Sequence, residues 1–320
     1  VGSSNFYKNW KLAKMVSDRL LSLLQNLPVI GEYEDPSLII NKLQQMKDPD
    51  FFFPETVTEK GIDDLLKIFN SAQNQPWSYV THQFGYIAPR EPSSIESQVI
   101  QHPSTIAANP TLKNSRLNIR LDRLRIQKYP GGGVHNVLVT FAARNQVADF
   151  QESVIFSQTY RVPNGQSLGI TGYPIFIGLN AGSQGVAFEC STVNVKNEAD
   201  QAVLSALESS TFKTGLELLT TAQPALTPFT TLTLGLVKAF AQRNENVPVQ
   251  KFYLGLDFED AAMGIRLAEG NYIAVQVPDE TTIDWNKWIY KPNLGIIVHK
   301  ADSSPLEFNY LVFRVSRYRE

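Results

Sequence analysis

The chain has one cysteine, Cys190, four histidines and no useful surplus of charge: 29 Lys and Arg stand against 31 Asp and Glu, a formal −2. A single cysteine excludes an intramolecular disulfide framework and a cysteine-built zinc site, and it fits a reducing compartment, so a cytoplasmic location is expected. The balanced charge gives no reason to expect nucleic acid or an anionic membrane as partner. His82, His102, His135 and His299 are scattered without His-x-x-x-His or His-Glu-x-x-His spacing, so no histidine metal site and no cofactor are expected. Residues 1–27 lack the continuous apolar core and small-residue cleavage site of a signal peptide. Repeats and low-complexity tracts are also missing.

What is present can build a core. With 43% hydrophobic and 11% aromatic residues the composition is that of a globular protein. At 320 residues it suits one large domain with additions, or two domains.

Three helices are expected before residue 75. Trp10, Ala13, Leu20, Leu21, Leu24 and Leu27 recur at three- and four-residue steps, and residues 37–47 and 60–72 repeat the pattern. Residues 88–114 carry Pro89, Pro92, Pro103 and Pro110 among polar residues and read as an extended connection. The strand-like "WSYVTHQFGYI" precedes it.

From residue 116 the period becomes two. In "SRLNIRLDRLRIQ" Leu117, Ile119 and Leu121 share one parity, while Leu124 and Ile126 take the other, which predicts a bulge near Asp122 and Arg123. "YPGGGVHN" reads as a turn, and "VLVTFAA", "ESVIFSQTYRV", "YPIFIGL" and "GVAFECSTVNV" as half-buried antiparallel strands. Helical spacing returns around residues 198–244, which predicts an inserted hairpin containing the uncharged run "LLTTAQPALTPFTTLTLGLV". Pro224, Pro228 and six threonines argue against that run being one straight transmembrane helix. Strands resume in "VQKFYLGLDF", "GNYIAVQVP", "KWIYKPNLGIIVHK" and "FNYLVFRVSRY".

The expected fold class is therefore α+β: an antiparallel β-sandwich with an inserted helical hairpin and an N-terminal helical region. Its expected divisions are residues 1–87, helix-rich; 88–114, the connection; and 115–320, the sandwich.

Candidate chemistry is sparse. Nucleophilic catalysis needs Cys190 or a serine beside a histidine and an orienting acid. Cys190 shares its parity with Val186 and Phe188, the pattern of a packed thiol. Two acidic turns could gather oxygen ligands for calcium: Asp257, Glu259 and Asp260 in one, Asp284 in the other. Solvated loops explain them as well. Arg120, Arg123 and Arg125 make a basic strand able to meet an anionic partner, and Trp285, Trp288 and Tyr290 form the densest aromatic group. These six are the candidate partner-binding residues. The function ranked first is a non-enzymatic protein-interaction or effector protein on a β-sandwich scaffold, binding a protein partner. A hydrolase or transferase with a site assembled from dispersed residues comes second, and membrane perturbation through residues 218–237 third.

Overall fold

The computed structural model describes residues 71–72, 74–89, 97–147, 150–195, 247–258 and 264–319. In chain order their strands are β1 Thr81–Ile87, β2 Gln98–Val99, β3 Arg116–Ile126, β4 Val134–Val147, β5 Phe150–Pro163, β6 Gln166–Asn180 and β7 Gly185–Val195. After residue 246 come β8 Val247–Asp257, β9 Gly270–Val277, β10 Trp288–Lys291, β11 Ile296–His299 and β12 Tyr310–Arg317. They form a five-stranded sheet ordered β1-β9-β12-β3-β6, a four-stranded sheet ordered β5-β4-β7-β8 and a three-stranded sheet ordered β11-β10-β2. Neighbouring strands are antiparallel in all three.

This corrects the α+β expectation. The architecture is nearly all antiparallel β-sheet, with no helix of seven or more residues among the described residues. Its physical basis is period-two patterning, clear in the first halves of β3 and β7 and replaced by burial on both faces in β9. Helical geometry serves as short 3-10 turns, at Pro76–Ser78, Pro110–Leu112 and Trp285–Lys287. Two of these open on proline, whose fixed φ suits a first helical position. The N-terminal helical region, apart from its last residues, and the hairpin expected at 198–244 lie outside the described residues, as does the uncharged run at 218–237.

The five-stranded sheet is the middle layer because β9 and β12 bury both faces. Tyr272, Ala274, Leu311, Phe313 and Val315 face the four-stranded sheet, while Ile273, Val275, Val277, Tyr310 and Val312 face the three-stranded one. Phe313 marks the centre of the larger core: its ring lies 6.1 Å from Phe141, 6.3 Å from Phe188 and 5.8 Å from Tyr272. Such offset and edge contacts add to the area these rings bury. Residues 97–114 do more than connect. They supply β2, pair Gln101 with Tyr86, and place Ile100 and Leu112 in the two cores.

Polar side chains stitch the layers where backbone ladders end. Asn309, fully buried before β12, accepts through Oδ1 from the amides of Gln127 and Lys128, at 2.8 and 3.1 Å. Its Nδ2 donates to the Lys128 carbonyl and to Gln276 Oε1, both at 3.0 Å. Gln276 Nε2 in turn reaches the carbonyls of Tyr79 and Val249, at 2.6 and 2.9 Å. Asn309→Ala would strand several of these groups, and at ordinary desolvation costs it is expected to lower the unfolding free energy by about 2 kcal/mol. Urea denaturation checks this, with an unchanged midpoint as the contrary result.

Candidate functional site

The parity switch in β3 builds the site. Arg123 pairs with Val312 and Leu121 with Phe313, so Asp122 has no partner on β12 and is the extra residue of a bulge. On the other side the register jumps from Leu121 opposite Tyr173 to Arg123 opposite Gly169. A bulge re-aims side chains, and here it turns a carboxylate towards Arg314 of the neighbouring β12.

Asp122 is buried and fully engaged. Oδ2 accepts from Arg314 Nη2 at 2.7 Å and Nε at 3.0 Å, and from Asn271 Nδ2 at 3.3 Å. Oδ1 accepts from the Gly172 amide at 2.8 Å. The Arg314 side chain remains 42% exposed, against 5% for Asp122. The pair therefore holds one edge of a guanidinium and leaves the rest towards solvent.

The basic residues of β3 lie over glycines of β6. A Cβ on Gly169 would fall 2.6 Å from Arg123 Nη1, and one on Gly178 2.7 Å from Arg116 Nη2. Arg120 Nη1 donates to the Gly172 carbonyl at 3.2 Å. Arg123 is also pressed by Gly295 of the β10–β11 turn, where any side chain would collide with Nε. Gly295 has φ +64°, so its lack of Cβ serves both the turn and the arginine. Arg123 Nε is buried with no hydrogen-bond partner. The guanidinium itself bonds the Tyr290 hydroxyl, whose pKa burial raises and Arg123 draws back down. Gly169→Ala is expected to displace the Arg123 guanidinium for only about 1 kcal/mol, because a flexible side chain yields more cheaply than backbone. A crystal structure of the variant with Arg123 unmoved would contradict this.

These groups line a groove of about 560 Å³ at the junction of the five- and three-stranded sheets, a volume ordinary for ligand sites. Asp122, Arg123, Glu269, Asn271, Tyr290, Arg314 and Arg319 give its polar wall, and Ala88, Pro89, Pro292 and Val315 its apolar parts. Three arginines meet two acids, so the lining carries one positive charge in excess.

Of the six residues singled out from sequence, Arg123 and Tyr290 line this groove and Arg120 adjoins it. Arg125 is instead buried, donating to Gln127 Oε1 at 2.9 Å. Trp285 is buried, with Nε1 donating to the Phe84 carbonyl at 2.8 Å, and Trp288 packs its ring against His299. The residues sequence reading missed are Asp122 as hub, Arg314 and Asn271. Their signal is the register across β3, β12 and β9, where Arg314 stands between Arg120 and Asn271.

The acidic turns are placed apart. Asp257 ends β8, while Asp284 Oδ1 accepts from the Asn286 amide at 3.1 Å and caps a 3-10 turn. Glu259 and Asp260 lie outside the described residues. No group of three His, Cys, Asp or Glu side chains among the described residues could hold a metal ion.

Potential nucleophiles and bases are likewise dispersed. Cys190 is buried, and burial pushes its thiol pKa well up. His135 Nε2 bonds Asn164 Oδ1 at 2.8 Å, and His299 Nδ1 lies 3.6 Å from Asp302 in a turn. A Gly-x-Ser-x-Gly match at residues 165–169 also escapes the sequence reading. Its Ser167 sits in β6 opposite Arg125, at a hairpin start instead of the strand-to-helix elbow that exposes a catalytic serine. No helix among the described residues is long and apolar enough to cross a membrane. No family model, curated protein or solved structure matches the chain.

Proposed function

We propose that this is a non-enzymatic binding protein, a β-sandwich scaffold that presents the Asp122–Arg314 groove to a protein partner. The observation that carries the reading is the half-exposed Arg314 guanidinium, fixed by a buried carboxylate at the floor of a polar groove. A pre-oriented arginine in a concave site loses little entropy on binding, and arginine is a favoured anchor at protein interfaces. Strands of the five- and three-stranded sheets supply most of the groove's lining, so it stands largely on ladders. The separated positions of Cys190, His135 and His299 give a hydrolytic constellation no comparable support.

Photo-cross-linkers placed at the rim positions Gln98 and Ser316, and at Tyr253 on the far four-stranded sheet, test the proposal in native extract. A discrete partner captured from the rim positions and not from Tyr253 is expected. Capture from all three alike, or from Tyr253 alone, would overturn it.

A further inference from the structure

Resting on the reading of this groove as the partner site, we infer that the group it receives is a carboxylate of the partner, from an Asp or Glu side chain or a chain terminus. Both acids of the lining are already committed: Asp122 to Arg314, Asn271 and Gly172, and Glu269 through Oε1 to the Arg317 amide at 2.8 Å. The cations are not committed to the same degree. Arg314 gives Nε and Nη2 to Asp122, yet its side chain lines the groove and stays 42% exposed. Arg319 is exposed on the rim.

A guanidinium edge matches a planar carboxylate by two parallel N–H···O bonds, and Arg holds this geometry where Lys does not. Charge decides between oxyanions. One monoanion cancels the single excess positive charge of the lining, whereas a dianionic phosphate would bring surplus negative charge beside Asp122 and Glu269. The apolar parts, Pro89 and Pro292 among them, suit the aliphatic stem that carries such a carboxylate.

Calorimetric titration of the intact chain uses four probes: Ac-Gly-Glu-Gly-amide, Ac-Gly-Gly-Gly with a free terminal carboxylate, Ac-Gly-Gln-Gly-amide and inorganic phosphate. At least one carboxylate peptide is expected to saturate a single site, and the stronger of the two identifies the source. The glutamine peptide is expected to bind about tenfold or more weakly, the usual scale for losing a charge-assisted hydrogen bond. Arg314→Gln should weaken the carboxylate peptide about tenfold, and Arg319→Glu, at an exposed position, about fivefold. Arg161→Gln, exposed on β5, should leave affinity unchanged.

Equal binding of the glutamine peptide, tighter binding of phosphate, indifference to both groove variants, or no binding of either carboxylate peptide would each overturn the inference. The cross-linking pattern stands apart from these results, so a groove that binds a partner by other chemistry is recognised as such.

Discussion

Asp122→Ala is expected to lower the unfolding free energy by about 3 kcal/mol, measured by urea denaturation at pH 7. The carboxylate is 5% exposed and satisfies the Gly172 amide, Asn271 Nδ2 and two nitrogens of Arg314. Alanine leaves the Gly172 amide and the Asn271 carboxamide without this acceptor. The Arg314 share is smaller than a buried ion pair would give, because its 42% exposure lets water screen the charge. Asp122→Asn keeps an acceptor for Gly172 and loses the charge, so a loss of about 1 kcal/mol is expected. If alanine and asparagine cost the same, the amide of Gly172 does not depend on this side chain and the bulge is held by something else.

His82 gives the second large effect, through pH. The residue is partly exposed as a whole, but its Nε2 is sealed from solvent, and its ring lies 4.9 Å from Phe252. Burial lowers its pKa from 6.5 to about 4, against a smaller opposing contribution from hydrogen bonding. Between those values the unfolded chain takes up a proton that the folded chain refuses. Stability from this group is therefore complete above pH 6.5 and is lost as pH falls towards 4. Between pH 7 and pH 5 the loss is on the order of 2 kcal/mol. His82→Gln is expected to flatten the pH dependence over that interval relative to the natural chain. Parallel curves for the two proteins would show that His82 titrates normally in the folded state.

The β architecture was legible because alternation is a local property. "GVAFECSTVNV" reads as a strand from its own residues, and β7 spans those same eleven positions. The bulge was legible for the same reason: the parity change between Leu121 and Leu124 is visible without knowing the partner strand. Layering was harder. Ile273, Val275 and Val277 alternate with Tyr272, Ala274 and Gln276, and all six are buried, so β9 looks two-sided only once the third sheet is in place. The two-residue strand β2 draws its pairing with β10 from distant sequence and carries little signal of its own. The α+β class rested on helical spacing in stretches outside the described residues, and it does not describe the sheets found here.

The site was legible only in part. A basic strand could be read from Arg120, Arg123 and Arg125, but the bulge changes which face each occupies, and Arg125 ends up buried under Gln127 and Ser167. Tyr290 could be noted as aromatic and not as a groove wall. Arg314 and Asp122 are 192 residues apart in the chain, and only the β3–β12 register brings them together. No spacing rule spans that distance.

The most direct measurement compares the natural chain with Arg319→Glu, using the cross-linker at Ser316 and the urea midpoint of each protein. The substitution turns the excess charge of the groove lining from positive to negative at an exposed position. Partner recovery is predicted to fall about tenfold with the midpoint unchanged. Equal recovery from the two proteins would contradict the groove as the place where this protein meets its partner.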